Sequence, residues 1–245
     1  MRMGKRLYSL IMFVVVAVLG GLLAAGLIVP ITGMATGATK DAVASLDSLP
    51  TALEETPQPE RSKLLTADGK VLAWFYDENR EYEPLSKIAP IMQQAQVAIE
   101  DHRFYEHGAM DLQGTLRALV STSQGNTQGA SSLTQQYVRL VLIEQAEESN
   151  DAAAKAAATE NTIARKIREL RYAIAVEKQF TKDEILERYL NTVFFGNNAY
   201  GLQAAAEVYF GKSVDQLTMV EGAFLAGLIR SPSGYDPIRR PERSK

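Results

Sequence analysis

The sequence contains no cysteine. That excludes a disulfide framework, a thiolate metal site and a cysteine nucleophile. It leaves the compartment open, although it is compatible with an oxidising one. An excess of either charge is missing too: 26 Lys and Arg stand against 29 Asp and Glu, a formal net charge of −3. So even a balance gives no reason to expect nucleic acid as a partner. No internal repeat is visible. One stretch lacks charge altogether, since no Asp, Glu, Lys or Arg occurs from Leu7 to Thr39.

Within that stretch Leu7–Ile31 is dominated by Leu, Ile, Val, Ala and Gly. It exceeds the ~20 residues a helix needs to cross a bilayer. The apolar region of a cleaved signal peptide is only ~7–15 residues long. Residues 1–39 therefore read as one uncleaved transmembrane helix with a basic end, Arg2, Lys5 and Arg6. The basic side is the cytoplasmic one, so a single-pass chain in the cell membrane places everything after Lys40 outside. Residues 40–61 carry Pro50, Pro57 and Pro59 among acidic side chains and read as an extended extracytoplasmic linker.

The remainder, 62–245, is long enough to bury a real core. It begins with a predicted β-hairpin, Ser62–Tyr76, whose two apolar strands flank the Asp68-Gly69 turn. From Ile88 onward the periodicity is helical, so the expected class is mainly α. Ile167, Leu170 and Ile174 are expected to line one side of a helix over Arg165–Glu177. Ile185, Leu186, Tyr189 and Leu190 do so over Asp183–Leu190. Glu144–Glu160, rich in Ala, Glu and Asp, reads as a solvated helical insertion. Gly201–Phe210 suits close helix packing, and Leu217–Leu228 is expected to be a final buried helix.

Three stretches carry chemistry. Ile99–Asp111 reads Ile-Glu-Asp-His-Arg-Phe-Tyr-Glu-His-Gly-Ala-Met-Asp. As a helix it would set Glu100, Phe104 and His107 on one face, an arrangement that suits a cleft. Glu100 follows the mostly apolar Ile91–Ile99, a junction where desolvation can prepare a carboxylate for proton transfer. The alternative is that Glu100 and Asp101 cap a surface turn. The second stretch is Gly129-Ala-Ser-Ser-Leu-Thr-Gln-Gln136, followed by Arg139. Its small residues admit a close ligand, and its hydroxyls and amides suit sugar hydroxyls or phosphate oxygens. A Ser/Thr-Gln cluster capping a helix reads the same way. The third is Arg165-Lys166-Ile-Arg168-Glu169, with Glu177 two turns later. Here Glu169 lies one helical turn from both Arg165 and Lys166. Two carboxylates in contrasting surroundings are what a division of acid and base roles requires. Clustered cations also suit a pyrophosphate leaving group, although a solvated charged face is the ordinary reading.

Taken together, these stretches resemble the family 51 peptidoglycan glycosyltransferases, found alone or at the front of class A penicillin-binding proteins. Five blocks match in order: Glu100–His107, Gly129–Gln136, Arg165–Glu169 through Glu177, Lys182–Asn191, and Phe195–Gly201 through Tyr209–Lys212. Val220–Leu228 and Ser231–Pro237 match as well, so the resemblance covers about 62–245. It implies a lysozyme-like glycosyltransferase domain with a smaller hydrophobic jaw that dips into the membrane, for which the apolar residues from Met110 to Leu142 are the candidate stretch. It implies polymerisation of lipid II into glycan strands, with inversion at the anomeric carbon and release of undecaprenyl pyrophosphate.

By position, the resemblance makes Glu100 the general base and Glu169 the second catalytic carboxylate. Ser131, Thr134, Gln135, Gln136, Arg139, Arg165, Lys166 and Asn191 would bind substrate, and Asp101, Phe104 and His107 would shape the cleft. The implied partners are lipid II, the growing glycan strand, the lipid bilayer and other proteins of wall synthesis and division. No cofactor is required on this reading. A divalent cation, Mg or Mn, would be stimulatory at the pyrophosphate, but nothing reads as a dedicated metal cage.

Departures from the family pattern are modest. Gly108-Ala109 inverts the usual order after the histidine, and Ser132, Ala130 and Arg139 replace Thr, Gly and Lys. Asn161 stands where many members carry a basic residue, a role that would fall on Arg165 or Arg168. The Glu144–Glu160 insertion resembles one in actinobacterial members. Neither Ser-x-x-Lys nor Lys-Thr-Gly, the marks of a transpeptidase domain, occurs, and relatives continue beyond the last residues into another helix. The sequence therefore reads as a piece of a longer protein. Alternatives are a lysozyme-like hydrolase, which would not need the cations beside Glu169, and a catalytically weak, membrane-anchored wall scaffold.

Overall fold

The computed structural model describes residues 53–55, 57–111, 131–160 and 162–243. All of them belong to one compact unit, Pro50–Lys245. The predicted anchor lies outside the described residues, and among those residues no helix is long and apolar enough to cross a membrane. Asn161 and the Leu112–Val120 part of the expected membrane jaw also lie outside them.

The chain is mainly helical. A hairpin of β1 (Ser62–Leu65) and β2 (Val71–Phe75) leads into α1 (Pro90–Glu100), α2 (Leu133–Glu148), α3 (Ala152–Thr159) and α4 (Ile163–Gln179). Then follow α5 (Lys182–Thr192), α6 (Leu202–Phe210) and α7 (Met219–Ile229). Two-residue strands β3 (Asn79–Arg80) and β4 (Ala199–Tyr200) pair in parallel. Helix starts follow side-chain chemistry. Ser132, Asp151 and Thr162 each cap orphan N–H groups, and Thr181/Glu184 and Thr218/Glu221 form reciprocal capping boxes.

Helix α2 is the centre, packed against α3, α4 and α5, while α1 lies along α7. That second approach is close because residue 222 is glycine: a Cβ there would meet Met92 Cα at 3.4 Å. Phe104, Leu133, Ile185, Leu190, Phe195 and Leu225 fill the core. The expected buried faces of α5 and α6 are found there, with Ile185, Leu186, Tyr189, Leu190 and Ala204–Ala206 inside.

Three readings change. The buried stripe of α4 is Arg165, Glu169, Tyr172, Ala173 and Val176, whereas Ile174 is 45% exposed. Two opposite charges can go inside because they pair with each other one turn apart. Glu144–Glu160 is helical and mostly exposed, as read, but it is broken in two: α2 runs on to Glu148, the chain reverses at Asn150 (φ 53), and α3 follows with Ala158 buried. Glu144 is drawn in by Gln58 and Arg80, and burial raises its pKa above the usual range. Helix α7, expected to be buried, shows Met219 and Val220 to solvent while Leu225 and Ala226 are inside.

Where the sequence reads as a solvated linker, its last residues lie as a strap on the domain. Leu53 is buried, Glu55 accepts hydrogen bonds from Tyr137 and Arg188, and Gln58 bonds Glu144, Thr192 and Arg80. A proline-rich sequence cannot reveal this, because the partners come from α2, α5 and β3.

Candidate active site

Glu100 is the last residue of α1. The backbone leaves the helix at Asp101 (φ −156, ψ 73), so Phe104 and His107 do not share a helical face with Glu100 as the spacing suggests. Phe104 turns into the core, fully buried, with the Lys182 ammonium 4.5 Å from its ring centre. His107 Nε2 is 2.7 Å from Asp101 Oδ1, and its Nδ1 is 2.6 Å from the Gly108 carbonyl oxygen. The Leu133 N–H donates to Asp101 Oδ2 at 3.1 Å.

The second stretch is sewn to the first. Ser132 Oγ and Gln135 Nε2 each donate to the Ala109 carbonyl at 2.9 Å. Thr134 donates to Glu177, which also holds Lys182. These bonds engage the Ser132 and Thr134 hydroxyls and the Gln135 amide nitrogen. Gln136, facing the other way, donates from Nε2 to Glu100 Oε2 at 2.9 Å.

The third stretch forms a layer beneath. Glu169 is 1% exposed and ion-paired with Arg165, which is itself buried and donates to the Glu160 carbonyl. Lys166 bridges outward, its ammonium 3.2 Å from Glu169 Oε2 and 2.6 Å from Ser131 Oγ. Asn191 is remote from this chemistry, its amide bonded to the backbone of Glu83 and Glu187.

A cleft of about 870 Å³ opens at Glu100. Of the residues expected to act, it is lined by Glu100, Ser131, Gln136 and Arg139. Asp101, Phe104, His107, Thr134, Gln135, Arg165, Lys166, Glu169 and Asn191 are not in its walls; of these, Lys166 bonds a wall residue directly, Ser131. The sequence reading missed Tyr189, Arg230, Tyr235 and Arg243, which do line it. The signal for Arg230 and Tyr235 was their place beside and within the matching tail Ser231–Pro237. Tyr189 was hidden because it alternates with core residues on α5. Arg139, Arg230 and Arg243 all line the cleft, and none of them is ion-paired to an acidic side chain among the described residues. Of the expected membrane jaw, Val138 and Val141 are core, and Leu140 lines the cleft.

Asp101, His107 and Asp111 place three ligand-type atoms within 4.8 Å of one another. Arg103 is ion-paired with Asp111, and Asp101 is engaged by His107 and the Leu133 N–H, so these three side chains already have partners within the protein.

A family model described as Transglycosylase matches residues 68–245. Penicillin-binding protein 1A of Escherichia coli (strain K12) is 42% identical over 184 residues, covering 74% of this chain and 20% of that protein. Penicillin-binding protein 1A of Neisseria lactamica is 36% identical over 210 residues, covering 85% of this chain and 24% of its own length. The chain thus spans about a fifth to a quarter of the length of these relatives. With the family model covering nearly all of the helical domain, the chain belongs to the transglycosylase family, family 51 of the glycosyltransferases.

Proposed function

We propose that this domain is a peptidoglycan glycosyltransferase that polymerises lipid II. The observation that carries the proposal is an oriented carboxylate in one cleft with three arginines that have no acidic partner among the described residues. Glu100 is held by Gln136 at the edge of a cleft lined by Arg139, Arg230 and Arg243. A polyprenyl pyrophosphate donor brings the complementary negative charge, and guanidinium groups match phosphate oxygens in pairs. A hydrolase cutting the same glycan has no pyrophosphate to neutralise, which disfavours that reading.

In the proposed step, Glu100 takes the proton from the acceptor sugar's 4-hydroxyl. The oxygen forms a bond to C1 of the growing chain from the face opposite the leaving group. The bond from C1 to the pyrophosphate oxygen breaks, and undecaprenyl pyrophosphate departs with the electron pair. The proton on Glu100 then passes to solvent. Arginines around the cleft stabilise charge developing on the departing pyrophosphate. Glu169 holds Arg165 and Lys166, and Lys166 in turn fixes the Ser131 hydroxyl at the cleft wall. A stimulatory Mg or Mn ion would be carried by the pyrophosphate, not by Asp101 and His107. Residence in the cell membrane, the bilayer as partner and association with other wall-synthesis and division proteins belong to the same proposal.

The test is incubation of the purified chain with lipid II, with and without moenomycin, which blocks the donor site in this family. Polymer that moenomycin abolishes supports the reading. Release of sugar from preformed glycan, without polymer from lipid II, would establish the hydrolase.

A further inference from the structure

We infer that Tyr189 and Gln96 are positioning residues for the general base, acting on Glu100 through Gln136. The inference rests on reading Glu100 as that base. Gln96 Nε2 donates to Tyr189 Oη at 3.5 Å, Tyr189 Oη donates to Gln136 Oε1 at 3.2 Å, and Gln136 Nε2 donates to Glu100 Oε2 at 2.9 Å. Every donor points the same way, toward the carboxylate. Gln96 and Glu100 sit one turn apart on α1, so the relay leaves that helix, crosses α5 and α2, and returns to it. Three helices thereby fix one carboxylate.

Packing alone does not explain these residues. Gln96 is fully buried and Tyr189 is 1% exposed, at positions where Leu and Phe would fill the same space. Gln96 Oε1 has no hydrogen-bond partner among the described residues, an expense an apolar side chain would avoid. Burial, reinforced by the charge of Glu100, pushes the Tyr189 hydroxyl far above its ordinary range, so it remains a proton donor to Gln136 at any working pH. Tyr189 also reaches the cleft wall, where the relay meets substrate space. The consequence for chemistry is geometric. With Oε2 tied to Gln136, Oε1 is the oxygen left to receive the acceptor's proton, and its direction is set by the relay rather than by solvent.

The experiment uses the full chain in detergent with lipid II, comparing Tyr189→Phe, Gln96→Leu and the double variant with the parent. The expected result is a fall in kcat of about tenfold for Tyr189→Phe, the effect of one lost orienting bond, with KM within about twofold. The melting temperature of the double variant should stay close to the parent's, because Gln96 and Tyr189 lose their mutual bond together and Gln136, which loses a donor, is only half-buried at the cleft wall. On a Gln136→Leu background Tyr189→Phe should lower kcat by less than about twofold more, since its effect passes through Gln136. Parent-like kcat in both single variants overturns the inference. So does a loss of kcat that tracks a loss of melting temperature, or one that adds in full on the Gln136→Leu background. Glu100→Gln, run in parallel, separates the two ideas: if it retains turnover, the base assignment fails first, whatever Tyr189 does.

Discussion

Lys166 Nζ stands 2.6 Å from Ser131 Oγ, joining the start of α4 to the residue just before the α2 cap. The same ammonium is 3.2 Å from Glu169, so one lysine ties a buried carboxylate to a hydroxyl in the cleft wall. Among the described residues, the buried ion pair thereby reaches the site through an intermediary, which sets different expectations for the two glutamates.

Glu100→Gln should lose polymerisation by at least ~10²–10⁴-fold, the range attributed to general base catalysis. Its melting temperature should stay close to the parent's, because a Gln carbonyl can still accept the Gln136 bond. Lipid II turnover measured beside a thermal melt checks both halves.

Glu169→Gln should behave differently. It leaves Arg165 buried without its counter-charge, a change that typically costs about 3–5 kcal/mol. Activity and melting temperature should fall together, and Arg165→Ala should show the same coupling. Denaturant unfolding of the two variants decides it; an inactive Glu169→Gln protein of parental stability would mean that Glu169 acts on substrate directly.

Arg139→Ala should act on substrate use alone. Its guanidinium is exposed and without an acidic partner among the described residues, so folding loses little. A charge-assisted contact to phosphate contributes roughly 1.5–3 kcal/mol, an increase in KM of about 10- to 150-fold. Steady-state kinetics over a range of lipid II concentrations measures it.

The strap should matter for stability. A chain starting at Pro50 should fold as the parent domain does. One starting at Ser62 loses the burial of Leu53, about 1.5–3 kcal/mol for such a side chain, and removes Gln58 from the buried Arg80. A lower midpoint in urea for the shorter chain is the expected outcome.

Acid should loosen the start of α7. The Lys212 ammonium and the Thr218 capping groups lower the Glu221 carboxyl to about 2. A carboxylate depressed in the folded state contributes stability above its unfolded value, and that contribution is lost as pH falls toward about 2. Glu221→Gln should therefore melt below the parent at neutral pH, with the difference closing between about pH 4.5 and 2.

Local chemistry was legible in the sequence wherever neighbours along the chain supply the partners. The Asp68-Gly69 turn, the Thr181/Glu184 capping box, the apolar face of α5 and the pairing of Glu169 with Arg165 and Lys166 all depend on short spacings. Ordered blocks such as Glu100–His107 and Gly129–Gln136 were enough to place the chain in its family. Tertiary structure decided what each block does. Phe104 and His107 left the face of Glu100 because the backbone turned at Asp101, a change of direction that spacing cannot register. Thr134 and Gln135 are buried braces while Gln136, the next residue, holds the base; which of them faces the cleft depends on how α2 is rotated against α1. Tyr189 reads as core from its period on α5, and its hydroxyl gains a role only because α1 and α2 bring Gln96, Gln136 and Glu100 to it. Arg230 joins the site from the far end of the chain for the same reason: packing of α7 against α1 brings that end to the Glu100 cleft.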